Sequence, residues 1–354
     1  MVRENIPASG RDTELENCTF VKTVLMLLVV LGHCVMYWTG EWFVGAPVHQ
    51  AKGLTFLADW INSFHIYGFA LISGYLFYHL KFEKGEYSTY GPFLAKKARR
   101  LLIPYTFASS VWVIPFVCIF YSVDFGMIFR NFVLGIAPQQ LWFLLMLFGV
   151  FLMVHPLSAF LKERHILGGA VVLCAYGIGL LGQAVLPNLF QIFTACRYLP
   201  VFWCGFKLRQ MSVGGGQNLF QRIPPVVWLV AQVALFALSR YVEQLSEPLF
   251  TLLQPALAFA LHLLGALMAF FVLQRIAEKC HWQQSCVFTF LSRNSMTVYL
   301  LHQQVVFVSI YFLNGLLNPY FHAAVNLVAA LAVSLVLSAA LRKYRVTRFL
   351  VGEG

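Results

Sequence analysis

Residues 20–38 read FVKTVLMLLVVLGHCVMYW, a run of 19 residues of which nearly all are apolar. A helix that crosses a bilayer needs about 20 consecutive apolar residues, so this run predicts one membrane-spanning helix. It contains two ionisable side chains, Lys22 at its start and His33 well inside it. At about 100° per residue, they fall within roughly 20° of each other around the helix and about 16 Å apart along its axis. Because an ionisable side chain is costly to bury in lipid, His33 is the first candidate functional residue.

The composition of the whole chain also indicates a membrane protein. Of its 354 residues, 60% are hydrophobic and 11% are charged, and the mean hydropathy is +0.73. A soluble fold could not remove that much apolar surface from water, so lipid must solvate most of it. The eight cysteines are scattered without a C-x-x-C pair, which indicates small apolar side chains rather than disulfides or metal ligands. The net charge of +11 fits Lys- and Arg-rich cytoplasmic loops, and we expect no nucleic-acid partner.

Apolar runs of spanning length occur about ten times, which predicts an all-α integral membrane protein with about ten transmembrane helices. The runs are 20–38, 57–79, 101–121, 140–160, 166–186, 190–206, 224–241, 249–273, 294–313 and 323–341. They divide the chain into an N-terminal tail (1–19), a polytopic membrane domain (20–341) and a basic C-terminal tail (342–354).

The distribution of positive charge predicts the orientation of these spans. If the N-terminus is cytoplasmic, all but four of the 25 Lys and Arg residues face the cytoplasm. The four exceptions are Lys52, Arg130, Arg197 and Arg240. The opposite orientation would invert this split, so the positive-inside rule predicts that both termini are cytoplasmic. The outward loops are short, so we expect the membrane domain itself to carry out any chemistry.

The second apolar run carries a second imidazole, at His65, followed by Ser73 and Gly74. One such histidine can be a core residue that is hydrogen-bonded to a neighbouring helix. Two histidines on consecutive antiparallel spans favour a functional role, because facing helices can bring them together. Ser73 and Gly74 also allow the close approach of two helices.

A basic segment, Lys96-Lys97-Ala98-Arg99-Arg100, directly precedes Leu101-Leu102-Ile103-Pro104-Tyr105. Such a segment anchors the cytoplasmic end of a span and meets anionic lipid head groups. It can also bind a phosphorylated ligand, because guanidinium groups pair bidentately with phosphate. The sequence leaves both interpretations open.

Four stretches in this order resemble a known family of membrane enzymes. They are Lys22 and His33 with ten residues between them, Phe64-His65…Phe69…Ser73-Gly74, Lys97 and Arg100 ahead of Leu-Leu-x-Pro-Tyr, and Leu141-Trp142-Phe143-Leu144. Three later stretches agree: Arg197-Tyr198…Phe202…Gly205, Arg293-Asn294-Ser295 and Tyr299-Leu300-Leu301-His302. Together they resemble the membrane-bound acyltransferase family 3, which O-acetylates cell-envelope glycans. Lys97 stands where the family usually has arginine, and Tyr67 stands where it often has proline.

The resemblance implies an activity and its substrates. The chain would move an acyl group, acetyl in the simplest case, from cytoplasmic acyl-coenzyme A to a hydroxyl of a cell-envelope glycan or lipid-linked sugar. Acetyl-coenzyme A would be a substrate, with no bound cofactor and no metal. The resemblance places the protein in the inner or plasma membrane of a bacterium, as a multi-pass protein in contact with membrane lipid.

The resemblance also assigns roles to residues. His33 would act as a general base or carry the acyl group covalently, with His65 assisting and Ser73 as a further catalytic candidate. Lys97, Arg99 and Arg100 would bind the donor phosphates, while Lys22 or Arg197 would hold the donor or stabilise the oxyanion. Trp142, in its Trp-Phe-Leu motif, would line the substrate site. Trp38, Trp42 and Phe43 could stack on a sugar ring, but an interfacial aromatic belt is the favoured interpretation.

Two other classes of protein remain open from the residues alone. Ten spans with intramembrane His and Arg side chains also suit a transporter or a flippase of a lipid-linked sugar. The absence of an evident internal repeat disfavours a carrier. A scaffold subunit has no need of histidines inside its spans.

Overall fold

The structure, a computed structural model, describes residues 8–40, 42, 45–213, 219–280, 282 and 285–352. All regular secondary structure in this described part is helical, which confirms the all-α fold. Its α-helices are α1 Ala8–Met36, α2 Lys52–Asn62, α3 His65–Tyr78, α4 Tyr90–Ala108, α5 Ile114–Phe120, α6 Phe125–Ile128, α7 Trp142–Glu163, α8 His165–Val185, α9 Ile192–Val213, α10 Leu219–Arg222, α11 Pro225–Val242, α12 Glu247–Cys280, α13 Cys286–Leu313, α14 Pro319–Leu341 and α15 Arg345–Leu350. Phe43 and the extreme ends of both predicted tails, 1–7 and 353–354, lie outside the described residues.

Eight helices of the described residues are long and apolar enough to cross a membrane, so the chain is a multi-pass membrane protein. They coincide with eight of the predicted runs, and the other two runs, 57–79 and 190–206, are helical as well. The run 57–79 is divided because α2 ends at Asn62 and α3 begins at His65, so each piece is short. The run 190–206 lies on α9, whose 22 residues include three cations that lower its hydropathy.

The helices fall into two packing units. The first unit comprises the described residues of Met1–Tyr78, Cys204–Arg293 and Asn318–Tyr320. The second comprises those of His79–Trp203, Asn294–Leu317 and Phe321–Gly354.

In the first unit, α1 packs against α2, α3 and α12, and α12 packs against α3 and α11. Small residues permit the close approaches. A Cβ atom at Gly68 would lie 3.0 Å from Leu25 Cδ1, and one at Gly205 would lie 1.9 Å from the carbonyl oxygen of Leu71. Only a residue without a Cβ atom can therefore occupy position 205 in this packing.

In the second unit, α7 packs against α4 and α8, and the short C-terminal helix α15 packs against α4. The chain leaves α15 through Gly352, which has a φ of +84°. A Cβ atom there would lie 2.8 Å from Pro104 Cγ and 3.1 Å from the carbonyl oxygen of Arg100. Gly352 therefore lets the end of the chain close against the middle of α4.

Candidate functional site

His33 lies in the last turn of α1. The helix ends at Met36, two residues before the apolar run does, so His33 is nearer the end of the helix than its position in the run suggests. The imidazole is half-buried, and its ring centroid lies 6.1 Å from that of Trp42 at an interplanar angle of 45°. A half-buried ring is accessible to a substrate and is also partly shielded from water.

His65 is the first residue of α3 and is only 5% exposed. Its Nδ1 lies 2.7 Å from the carbonyl oxygen of Ile61. A carbonyl oxygen only accepts hydrogen bonds, so Nδ1 carries the proton and donates to it. A neutral His65 therefore has its basic lone pair on Nε2.

The contacts between α1 and the divided helix α2–α3 fix the relative heights of the two histidines. A Cβ atom at Gly32 would lie 3.4 Å from Ile61 Cγ2 and 3.9 Å from Asn62 Oδ1, and Gly68 faces Leu25. This antiparallel register sets His33 level with Trp60, and His65 level with Leu28, five residues before His33 on α1. The two imidazoles are therefore on neighbouring helices, offset by roughly 7 Å along the axis.

Two other predicted residues of the first unit lie away from His33 and His65. Lys22 is half-buried on the same uninterrupted helix as His33, so their separation of 11 positions corresponds to about 16 Å along the axis. Ser73 is half-buried on α3, eight residues and about 12 Å beyond His65. Neither side chain can share a hydrogen bond with the histidine of its own helix.

In the second unit, Lys97 is held by aromatic rings. Its Nζ lies 4.0 Å from the centroid of Phe151, 4.9 Å from that of Tyr87 and 5.5 Å from that of Phe93. It also donates a hydrogen bond of 3.3 Å to Tyr87 Oη. Burial raises the pKa of the Tyr87 phenol, which therefore stays protonated at neutral pH. The aromatic rings thus fix the Lys97 ammonium beside the surface of α4.

Arg99 and Arg100 point elsewhere, into an open cavity of about 1030 Å³ between α4 and α15. We call it the basic cavity. Five cations line it, Lys96, Arg99, Arg100, Arg345 and Arg348, and none of the described residues that line it is acidic. On α4, residues 96, 99 and 100 share a face because they are three and four positions apart, and 345 and 348 share a face of α15. Lys97 lies on the next face of α4, which explains its different surroundings.

Arg345 and Arg348 are the functional candidates that the sequence analysis did not single out. In the sequence they are two charges of the basic tail, and their spacing of three residues indicates that they share a helix face. Nothing in the local sequence joins them to residues 96–100, because the pairing is made by tertiary packing.

Parts of three of the remaining family-like stretches meet within the second unit. The ring of Trp142 lies 5.8 Å from that of Tyr198, and Phe143 lies 6.3 Å from Tyr299. Gln140 Nε2 donates to the Leu300 carbonyl oxygen at 3.1 Å and to Gln304 Oε1 at 2.9 Å. Three stretches that are far apart in sequence therefore meet where α7, α9 and α13 pack together.

Arg197 is half-buried on α9, where Nη1 donates to Gln183 Oε1 of α8 at 2.5 Å. A Cβ atom at Gly179 would lie 2.8 Å from Arg197 Cγ, so this glycine makes room for the arginine stem. His302, the last residue of its motif, is fully buried, and its Nδ1 donates to the backbone carbonyl oxygens of Val298 and Tyr299. In the described part of the chain, no group of three or more His, Cys, Asp or Glu side chains is placed to hold a metal ion.

The predicted residues are thus divided between the units. Lys22, His33, His65 and Ser73 belong to the first, and Lys97, Arg99, Arg100, Trp142 and Arg197 belong to the second.

Comparison with known proteins gives one result. A family model described as an acyltransferase domain matches residues 17–343, which is nearly the whole chain. No curated protein and no solved structure matches. The matched range contains all nine predicted site residues and ends before Arg345, so α15 lies beyond it. The match favours an enzyme over a carrier, and the chain belongs to the membrane acyltransferase family 3.

Proposed function

We propose that this membrane acyltransferase transfers an acyl group, acetyl in the simplest case, from cytoplasmic acyl-coenzyme A to a hydroxyl of a cell-envelope glycan or lipid-linked sugar. The observation that carries the proposal is the basic cavity, in which Arg99 and Arg100 face Arg345 and Arg348. A cavity lined by five cations with no described acidic residue suits a ligand with several phosphate groups.

Coenzyme A has this character, because it carries a diphosphate and a 3′-phosphate at one end and a thioester at the other. Guanidinium groups can pair bidentately with such phosphates. The volume of about 1030 Å³ is at the upper end of the usual range for small-molecule sites, so it can hold a nucleotide. The aromatic rings around Lys97 fix this ammonium close to the same stretch of α4, where it adds to the positive potential.

We assign proton transfer to His33. Its neutral imidazole takes the proton of the acceptor hydroxyl as the oxygen attacks the thioester carbonyl carbon. The carbon–sulfur bond then breaks, the acyl group stays on the acceptor oxygen, and the imidazolium returns the proton to the thiolate of coenzyme A. A covalent acyl-histidine relay uses the same residues in two steps.

The other predicted residues take supporting roles in this proposal. Lys22 lies about 16 Å along α1 from His33, too far to touch the same carbonyl oxygen, so we assign it to holding the donor. Nε2 of His65 supplies a hydrogen-bond acceptor near the reacting groups. Trp142 and Arg197 contribute to substrate binding, and Ser73 is a further polar group on α3.

The test is thioester cleavage by the purified protein in lipid nanodiscs. Release of free thiol from acetyl-coenzyme A, together with acetylation of an added glycan detected by mass spectrometry, would support the proposal. If no thiol is released with any acyl-coenzyme A, coenzyme A is not the donor. A basic cavity that bound only anionic lipid would then be a membrane anchor.

A further inference from the structure

A second cavity, of about 320 Å³, lies within the first unit, among α2, α11 and α12. We call it the polar cavity, and it is lined by Asp59, Asn62, Ser239, Arg240, Glu243 and Gln254. None of these side chains has a role in the proposed donor site. Arg240 lies in the last turn of α11, Glu243 directly follows that helix, and Asp59 and Asn62 belong to the short helix α2. A cavity on which a few polar and charged side chains converge is a candidate binding site.

Each helix presents one polar stripe to the polar cavity. Asp59 and Asn62 are three positions apart on α2, as are Arg240 in the last turn of α11 and Glu243, the residue that follows this helix. On α12, Gln254 shares its face with an apolar stripe that includes Phe250. The few polar residues of this part of α2, α11 and α12 therefore line the same cavity.

The charged groups of the polar cavity are arranged around one guanidinium. Arg240 Nη1 lies 3.4 Å from Asp59 Oδ2 and 3.0 Å from Glu243 Oε2. The Asp59 side chain is 27% exposed and that of Glu243 is 44% exposed, so both can still reach a ligand. Two carboxylates against one guanidinium give the site an excess of negative charge, which disfavours a phosphate or carboxylate ligand.

The polar cavity lies at the height of His33. The register of α1 against α2 sets His33 level with Trp60, which is between Asp59 and Asn62 in the sequence. Asn62 takes part in both sites, because it lines the polar cavity and its Oδ1 also faces Gly32, the residue before His33. A ligand in the polar cavity is therefore close to the turn of α1 that carries His33.

We infer that the polar cavity is the acceptor site and that it takes a neutral, polyhydroxylated ligand, a single sugar ring. This inference rests on the proposed function, because it names the site of the hydroxyl that is acylated. Hydroxyl groups both donate and accept hydrogen bonds. Carboxylates accept them, a guanidinium donates them, and the amides of Asn62 and Gln254 do both.

The size and the apolar lining of the polar cavity agree with this ligand. A volume of about 320 Å³ is at the lower end of the range of small-molecule sites, so it suits one ring rather than an oligosaccharide. The rings of Phe236 and Phe250 also line it and provide apolar surface for the C–H face of a sugar. His262 lines it as well, and its ring is fixed by stacking on Tyr67, with centroids 3.9 Å apart and an angle of 11°.

The experiment measures binding of neutral sugars to the purified protein in nanodiscs. The probes are the methyl pyranosides of glucose, galactose, mannose, rhamnose and N-acetylglucosamine, with methyl glucuronide as the anionic comparison and methylamine as the cationic one. The variants are Asp59→Asn and Glu243→Gln, which keep shape and remove charge. The matched control is Glu278→Gln, because Glu278 also pairs with an arginine three residues away, at 3.0 Å, and its side chain is about as exposed as that of Glu243.

We expect at least one neutral glycoside to bind, and each cavity variant to weaken that binding about tenfold or more, as the loss of a charged hydrogen bond does. Glu278→Gln should leave it unchanged, and thermal unfolding should show that all variants are folded. The inference is overturned if no neutral glycoside binds, if methylamine or methyl glucuronide binds instead, or if the cavity variants bind like the control. If the glycoside binds as expected but no thiol is released from acyl-coenzyme A, the proposed donor fails and the sugar site stands.

Discussion

The ammonium of Lys97 lies 4.0 Å from the centroid of the Phe151 ring, which joins α4 to α7. The next residues on α4 with long cationic side chains, Arg99 and Arg100, line the basic cavity instead. Adjacent cations of one basic segment thus have different surroundings. This difference predicts that their substitution has different consequences.

Replacing Lys97 by alanine should lower stability. Cation–π contacts contribute about 0.5–2 kcal/mol each when partly desolvated, and Lys97 makes them with three rings. We expect a lower thermal unfolding temperature for Lys97→Ala in nanodiscs than for Lys84→Ala, since Lys84 is exposed. Equal unfolding temperatures for the two variants would show that the aromatic contacts do not stabilise the fold.

Replacing Arg99 and Arg100 by glutamine should weaken coenzyme A binding. A hydrogen bond to a charged group contributes about 1.5–3 kcal/mol, so each substitution should raise the dissociation constant roughly tenfold or more. The affinity of the wild type should also fall with rising salt. The control is Arg130→Gln, because Arg130 is exposed and lies outside the basic cavity. If Arg99→Gln and Arg100→Gln bind coenzyme A with unchanged affinity, these two side chains contact anionic lipid rather than the donor.

Replacing Arg345 or Arg348 by glutamine should have the same effect, although both lie beyond the family match. They line the same cavity from α15, so they would meet the same phosphates. Isothermal titration with coenzyme A and with vesicles containing an anionic phospholipid separates the two sources of phosphate. Lys343→Gln is the control, since Lys343 is exposed and does not line the cavity. If Arg345→Gln and Arg348→Gln weaken binding to the vesicles but leave the affinity for coenzyme A unchanged, α15 has no role in donor recognition.

The helices, and the placement of His33 and His65 on neighbouring helices, could be predicted from the sequence, because both follow from the lengths and order of the apolar runs. Apolar run length predicts spans, and two consecutive spans with a short connection must be antiparallel neighbours, as α1 and α2–α3 are. The division at residues 63–64 could not be predicted, since Ser63-Phe64 carries neither proline nor glycine.

The two cavities could not be predicted either. Residues 96–100 meet residues 345–348, and residue 59 meets residue 240, only through tertiary packing. The helical period shows which residues share a face of one helix. It does not show which helix that face will meet.

Replacing Gly205 by alanine should disrupt the packing of α9 on α3. The new Cβ atom would overlap the Leu71 carbonyl oxygen at 1.9 Å, and a backbone atom cannot turn aside as a side chain can. Overpacking typically costs about 1–3 kcal/mol, so we expect lower accumulation in the membrane and a lower unfolding temperature. Gly177→Ala is the control, because nothing lies within 4 Å of a Cβ atom at that helical position. Equal stability of the two variants would contradict the close approach.

Replacing His33 by alanine should abolish acyl transfer while the protein still folds. A positioned general base accelerates proton transfer by roughly 10² to 10⁴-fold, and a covalent relay would lose still more activity. Because His33 is only half-buried and lies in the last turn of α1, its removal leaves no large cavity in the core. His49→Ala is the control, since His49 is an exposed loop residue. Retained turnover in His33→Ala, with coenzyme A affinity equal to that of the control, would remove this imidazole from the mechanism. Next to be tested would then be His65, whose Nε2 carries the lone pair because Nδ1 donates to Ile61.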